Sequence, residues 1–124
     1  MPMLRDTAQR RSIRRVFETE RRPLSVNEVH ALARGLLPTL GIATVYRTLN
    51  GLIEEGWLHP VEIPGGMTFY ERTNKGPHHY FQCEQCHRLF DTGCAPENLD
   101  AVLPPGFRVH RHDMFLSGVC ADCH

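Results

Sequence analysis

The sequence predicts an α+β chain, an N-terminal winged helix-turn-helix followed by a small C-terminal α/β domain. Three observations predict it. Apolar stripes at helical spacing fill the chain up to Glu55, and two alternating segments then flank a Pro64-Gly65-Gly66 turn. Two Cys-x-x-Cys pairs, Cys83/Cys86 and Cys120/Cys123, punctuate the remainder. A chain of 124 residues holds one domain or two very small ones. Cores that thin are commonly reinforced by a metal.

Thr7 to about Glu20 reads as the first helix, with Ile13, Val16 and Phe17 at the i, i+3, i+4 spacing of a buried stripe. The pairs Arg10/Arg14 and Arg11/Arg15 line its other faces, and Arg22-Pro23 breaks it. Ser25 and Glu28 form a capping box for a second helix that runs to about Arg34 and buries Val29, Leu32 and Ala33. Gly35 and Pro38 end it. A third helix, about Ala43 to Glu55, buries Val45, Leu49, Leu52 and Ile53 and leaves Thr44, Tyr46, Arg47 and Asn50 facing elsewhere. Trp57–Ile63 and Met67–Glu71 then alternate as the two strands of a hairpin.

Thr73-Asn74-Lys75-Gly76-Pro77 is polar and breaker-rich, which divides the chain into a domain over 1–74, a hinge over 75–78 and a second domain over 79–124. In that second part, His79–Gln82 and Arg88–Thr92 read as short strands around the first cysteine pair. Pro96 to about Val102 reads as a short helix, and Phe107–Leu116 as a longer strand leading to the second pair.

With no leader and no apolar run long enough to cross a bilayer, the expected location is the cytosol, where thiols stay reduced. Cys83, Cys86, Cys120 and Cys123 therefore read as four thiolate ligands of one structural Zn²⁺, which prefers tetrahedral sulfur. The alternative is a redox pair, but neither Cys-x-x-Cys has a strand before it and a helix after it. Cys94, the fifth cysteine, reads as a small buried hydrophobe or, alternatively, as a soft ligand or a redox-sensitive thiol.

The net charge of zero conceals an asymmetry: up to Lys75 there are 11 basic and 8 acidic residues, and beyond it 3 and 6. Seven arginines among the first 22 residues suggest a polyanionic partner at that end. Thr44, Tyr46 and Arg47 suit a helix that enters the major groove, since they offer hydrogen bonding, stacking and phosphate pairing. Arg10, Arg11, Arg14 and Arg15 adjoin that helix as candidates for DNA backbone contact, and Arg5 as a minor-groove arm. The plainer alternative is a solvated charged face on a protein-interaction module.

Glu71, His78, His79, Asp91, His110 and His112 form a second potential ligand set, of nitrogen and oxygen donors. Such donors suit Zn²⁺, Fe²⁺ or Mn²⁺ and discriminate poorly among them. His30, His59, His87 and His124 have no such company and read as surface residues, with His87 a possible donor to the zinc ligands.

Taken together, Ala43-Thr44-Val45-Tyr46-Arg47-Thr48-Leu49, Phe69-Tyr70-Glu71, His78-His79 before Cys83-x-x-Cys86, and His112 eight residues ahead of Cys120 resemble the ferric uptake regulator family over almost the whole chain. The resemblance implies a dimeric bacterial, cytoplasmic DNA-binding repressor with an N-terminal winged helix and a C-terminal α/β dimerisation domain. By the same resemblance the four cysteines match a structural zinc tetrad, and Tyr46, Arg47 and Arg5 match DNA contacts. Glu71, His78 and Asp91 match a sensory site joining the two domains, and His112 with His79 a further site near the dimerisation sheet. Three positions depart from the pattern: Tyr80 and Pro23 stand where histidines are usual, and Asn98, beside Glu97, stands where an acid completes the further site. The sensory site is therefore expected to recruit His79, His110 or His112.

The expected mechanism is operator binding by a homodimer, promoted by a second divalent ion that locks the two reading heads, with repression of metal-homeostasis genes. A peroxide-sensing regulator and a zinc-stabilised interaction module are the alternatives. A metal-dependent enzyme is not expected, because no positioned nucleophile, zincin motif or substrate-cradling loop is present. Nor is a membrane or a small-molecule substrate expected as partner.

Overall fold

The computed structural model describes residues 7–73, 79–92, 99–110 and 112–124. Arg5, the 75–78 hinge with His78, Cys94, Glu97 and Asn98 lie outside the described residues. The chain divides into two compact units, Met1–Asn74 and Lys75–His124. The first holds α1 (Ala8–Glu20), β1 (Leu24–Ser25), α2 (Val26–Ala33), α3 (Ile42–Glu54), β2 (Leu58–Glu62) and β3 (Thr68–Arg72). The second holds β4 (Tyr80–Cys83), β5 (Leu89–Asp91), a 3-10 turn (Leu99–Val102) and β6 (Phe115–Gly118).

In the first unit the helix ends follow from local chemistry. The Thr7 hydroxyl accepts the Arg10 N–H at 3.1 Å to open α1, and Arg21 closes it in the left-handed region at φ 58°. The capping box of α2 is complete: Ser25 Oγ accepts the Glu28 N–H at 3.2 Å, and Glu28 Oε1 accepts the Ser25 N–H at 3.0 Å. Ile13, Phe17, Val29, Val45, Leu49 and Leu52 meet in one buried core between the three helices. Leu32 is not in it: on this eight-residue helix Val29 and Ala33 face inward, and Leu32, one step of about 100° off that stripe, is 38% exposed.

Arg10 also departs from expectation. It is only 7% exposed, and its guanidinium pairs with Glu55 at the end of α3. That arginine ties two helices together and is not available to a phosphate. His30, read as a surface residue, is partly buried, its Nε2 2.9 Å from the carbonyl of Leu40, so that it joins α2 to the segment entering α3.

The three strands of this unit lie in the order β1-β3-β2, both pairings antiparallel. β1 was not expected; two residues of strand carry no periodicity of their own, and the capping signals of α2 overlie them. The β2–β3 turn uses Gly65 and Gly66 at φ 103° and 87°, a region that side chains rarely adopt. Trp57 anchors the hairpin, edge-on to Phe17 at 6.2 Å and with the Arg72 guanidinium 4.6 Å from its ring centre. Three helices with this hairpin form the winged helix-turn-helix.

In the second unit the order is β5-β4-β6, with β4 antiparallel to β5 and parallel to β6. The strand expected over Phe107–Leu116 is replaced by a shorter and later one. Pairing begins at Tyr80 opposite Phe115, and upstream the Val109 N–H is taken by Asp100 Oδ1 at 3.0 Å. The helix expected from Pro96 is, among the described residues, the single 3-10 turn at Leu99–Val102. Gly118 lies so close to Phe81 that a Cβ there would meet the ring at 3.1 Å. Cys83, Leu89 and Cys120 are the buried apolar side chains of this unit among the described residues.

Candidate metal centres and nucleic-acid interface

β4 ends in Cys83 and the turn after it presents Cys86, while Cys120 and Cys123 occupy the turn beyond β6. Because β4 and β6 run the same way, both turns come to one end of the sheet. All four sulfurs lie within 4.8 Å of one another, and Cys86 Sγ is 3.8 Å from Cys120 Sγ. Sulfurs bonded at about 2.3 Å to one tetrahedral zinc stand roughly 3.8 Å apart, so the donor set fits Zn²⁺ in identity, number and edge length. Among the described residues no other three potential ligands come together in this way.

The thiols are poised unequally. Backbone N–H groups of Cys86, Cys120 and Gln85, each 3.4 Å from Cys83 Sγ, outweigh its burial and hold that thiol down at about 5. Cys86 is lowered by its side-chain bond from Arg88. Cys123 is pushed up to about 12, first by burial and then by the neighbouring sulfurs. A dication removes this conflict, since a coordinating thiol is deprotonated outright. Arg88, rather than His87, is the cation beside the sulfurs: His87 sits at φ 65° and its N–H goes to the Cys83 carbonyl.

The second ligand set is divided between the two units, with Glu71 in the first and His79, Asp91, His110 and His112 in the second. Glu71, on the central strand of the wing sheet, is 1% exposed. Directly opposite it on β2 stands His59, 36% exposed at its side chain, with Nε2 3.4 Å from Glu71 Oε1. Nitrogen and oxygen donors held about 2.1 Å from one tetrahedral ion also stand roughly 3.4 Å apart. His59 therefore corrects the reading of a surface residue without company. Counting outward from the Pro64-Gly65-Gly66 turn would have found it, because residues 59 and 71 lie equally far from Gly65. On the side of β3 away from His59, β1 pairs through Leu24 opposite Tyr70 and Ser25 opposite Phe69.

In the second unit, His79 and His112 stack at 4.8 Å with their planes 11° apart. The Met114 N–H donates to His79 Nδ1 at 2.9 Å. That bond engages the Nδ1 lone pair of His79 within the folded unit. Asp91 ends β5 half-buried, and His110 and His112 are exposed.

The expected reading face is exposed on α3: Tyr46 is 47% exposed, Arg47 and Asn50 are open, and Thr44 is half-buried. Arg47 Nη2 donates to Thr44 Oγ1 at 3.1 Å, which orients the guanidinium along the helix. Arg14 and Arg15 line, with Arg11, Leu36 and Trp57, a groove of about 620 Å³ on the same unit. Thr44, Tyr46 and Arg47 do not line it. No described helix is long and apolar enough to cross a membrane.

The sequence model of the ferric uptake regulator family matches residues 3–117. The ferric uptake regulation protein of Cupriavidus metallidurans is 31% identical over 127 residues, covering 97% of this chain and 88% of its own. The zinc uptake regulation protein of Mycobacterium tuberculosis is 28% identical over 123 residues, covering 97% and 95%. Among solved structures, a zinc-bound manganese uptake regulator superposes with a TM-score of 0.79 at 25% identity, over 94% of this chain and 91% of that one. With its winged helix, its four-cysteine cluster and this match, the chain belongs to the ferric uptake regulator family of metal-responsive regulators.

Proposed function

We propose that the chain is a homodimeric transcriptional repressor whose affinity for operator DNA is set by a second divalent ion, Zn²⁺, Fe²⁺ or Mn²⁺. Zn²⁺ on Cys83, Cys86, Cys120 and Cys123 holds the C-terminal unit in shape for pairing with a second copy. The regulatory ion is held by Glu71, with His59 beside it and with His78, Asp91 and one of His110 or His112 completing the set. Thr44 and Tyr46 read the groove, while Arg47, Arg14 and Arg15 contact the backbone and Arg5 the minor groove. The observation that carries this reading is the donor pair His59–Glu71 in the wing hairpin. It stands at the edge length of one coordination sphere, in the same compact unit as the exposed face of α3.

An ion that binds the DNA-competent arrangement more tightly than the other shifts the population between them, about tenfold for each 1.4 kcal/mol of difference. The test is a fluorescence-anisotropy titration of operator DNA at increasing metal, comparing the parent with His59→Gln and Glu71→Gln, each shown by circular dichroism to be folded. Both substitutions should move the metal requirement upward by tenfold or more, a scale of roughly 1.4 kcal/mol. Metal titrations that superpose on the parent's would reject the assignment.

A further inference from the structure

We propose that Arg88 clamps the two cysteine turns and damps the nucleophilicity of Cys86 and Cys120, leaving Cys123 as the thiolate through which a soft electrophile opens the zinc site. Arg88 Nε donates to Cys86 Sγ at 3.1 Å, and its Nη2 lies 3.7 Å from Cys120 Sγ and 3.1 Å from Asp122 Oδ2. One side chain thus reaches the sulfur of its own turn and two residues of the later turn, 32 and 34 positions further along the chain. A planar guanidinium with several fixed donors can do this where a lysine, a point charge, cannot. Asp122 and the Phe90 ring, 5.6 Å from the guanidinium, keep it over the sulfurs.

Four thiolates on Zn²⁺ leave a net charge of −2, and the electron pairs on sulfur remain nucleophilic in proportion to how little they are otherwise engaged. Cys83 is fully buried and accepts three backbone N–H groups. Cys120 is buried and its sulfur lies within reach of the Arg88 guanidinium. Cys86 is half-buried and takes the short Arg88 bond. Cys123 is half-buried as well, but among the described residues no N–H is aimed at its sulfur. Among the described residues it alone combines access with a sulfur whose partners are other sulfurs and not N–H donors. The chemical class is a carbon electrophile with an activated double bond. The Cys123 sulfur forms an S–C bond, the π pair moves to the adjacent carbon and takes a proton from water, and the thioether that results is a poor zinc ligand, so the ion leaves to a chelator.

The test uses the full-length zinc-loaded protein in a C94S background, which removes the one cysteine outside the set. It is treated with substoichiometric N-ethylmaleimide. Peptide mass spectrometry locates the first adduct, and a chromophoric chelator reports zinc release. In the parent the first adduct should fall on Cys123. In R88Q, zinc release should accelerate by roughly tenfold, the low end of what partners of metal ligands contribute, and adducts should spread to Cys86. R88K should fall between the two, and it stands in if R88Q does not fold. First adducts on Cys86 in the parent, or release rates and adduct maps unchanged in both variants, would overturn the assignment.

Discussion

Removing zinc should dismantle the second unit while sparing the first. In the described part of that unit, Leu89 is the one fully buried aliphatic side chain, the other buried apolar groups being the zinc cysteines themselves. Burying one leucine contributes about 2 kcal/mol, whereas a structural zinc in a small domain contributes about 10–16 kcal/mol at neutral pH. The metal term is thus several times the largest apolar one, and it matches or exceeds the 5–15 kcal/mol that typically separates folded from unfolded domains. The first unit has its own core of helix side chains and needs no such help. The assay is hydrogen exchange read by mass spectrometry before and after chelation, with zinc loss verified by elemental analysis, and with Cys83→Ser as the genetic equivalent. Peptides from 79–92 and 115–124 should exchange as an unfolded chain, while those from 8–20 and 42–54 keep their protection. Persistent protection in 79–92 once zinc is gone would show that packing, not the metal, holds this unit.

Arg47→Ala should weaken operator and non-operator DNA by similar factors and lower the slope of log affinity against log salt by about one, as expected for one lost phosphate contact. A loss confined to the operator would instead make Arg47 a base reader. Alkaline pH tests Tyr70, whose phenol is raised above the usual value of about 10 by burial and then by the charge of Tyr46. The fold favours its neutral form, so its contribution to stability is present below that value and is lost as the pH rises past it. Thermal melts of Tyr70→Phe should therefore decline less between about pH 9 and 11 than those of the parent, and identical declines would remove Tyr70 as the cause.

What could be read in advance was local. The cap at Ser25–Glu28, the stripes Ile13-Val16-Phe17 and Val45-Leu49-Leu52, and the wing turn are all set by residues within a few positions of one another. The cysteine set was legible for a different reason, because two short spacers and one metal preference leave few arrangements. What escaped depends on partners distant in sequence. Arg10 looked like part of a solvated face, since its partner Glu55 is 45 positions away. His59 became interesting only through its register opposite Glu71. The Phe107–Leu116 stretch had the composition of a strand, but strand length is set by the neighbour, and β4 supplies only four residues. Arg88 carries no motif; its role rests on the two turns lying side by side.

The parallel pairing of β4 with β6 also dictates an order of events during translation. Cys86 leaves the ribosome 34 residues before Cys120 does, which at about 5–20 residues per second is a wait of roughly 2–7 seconds. For that interval the nascent chain offers half a coordination shell, enough to hold an ion loosely and to exchange it, but not to commit to one. Commitment waits for the later turn to swing alongside the earlier one, so the choice of metal for this position belongs to the finished polypeptide and to the ion pool it meets on release.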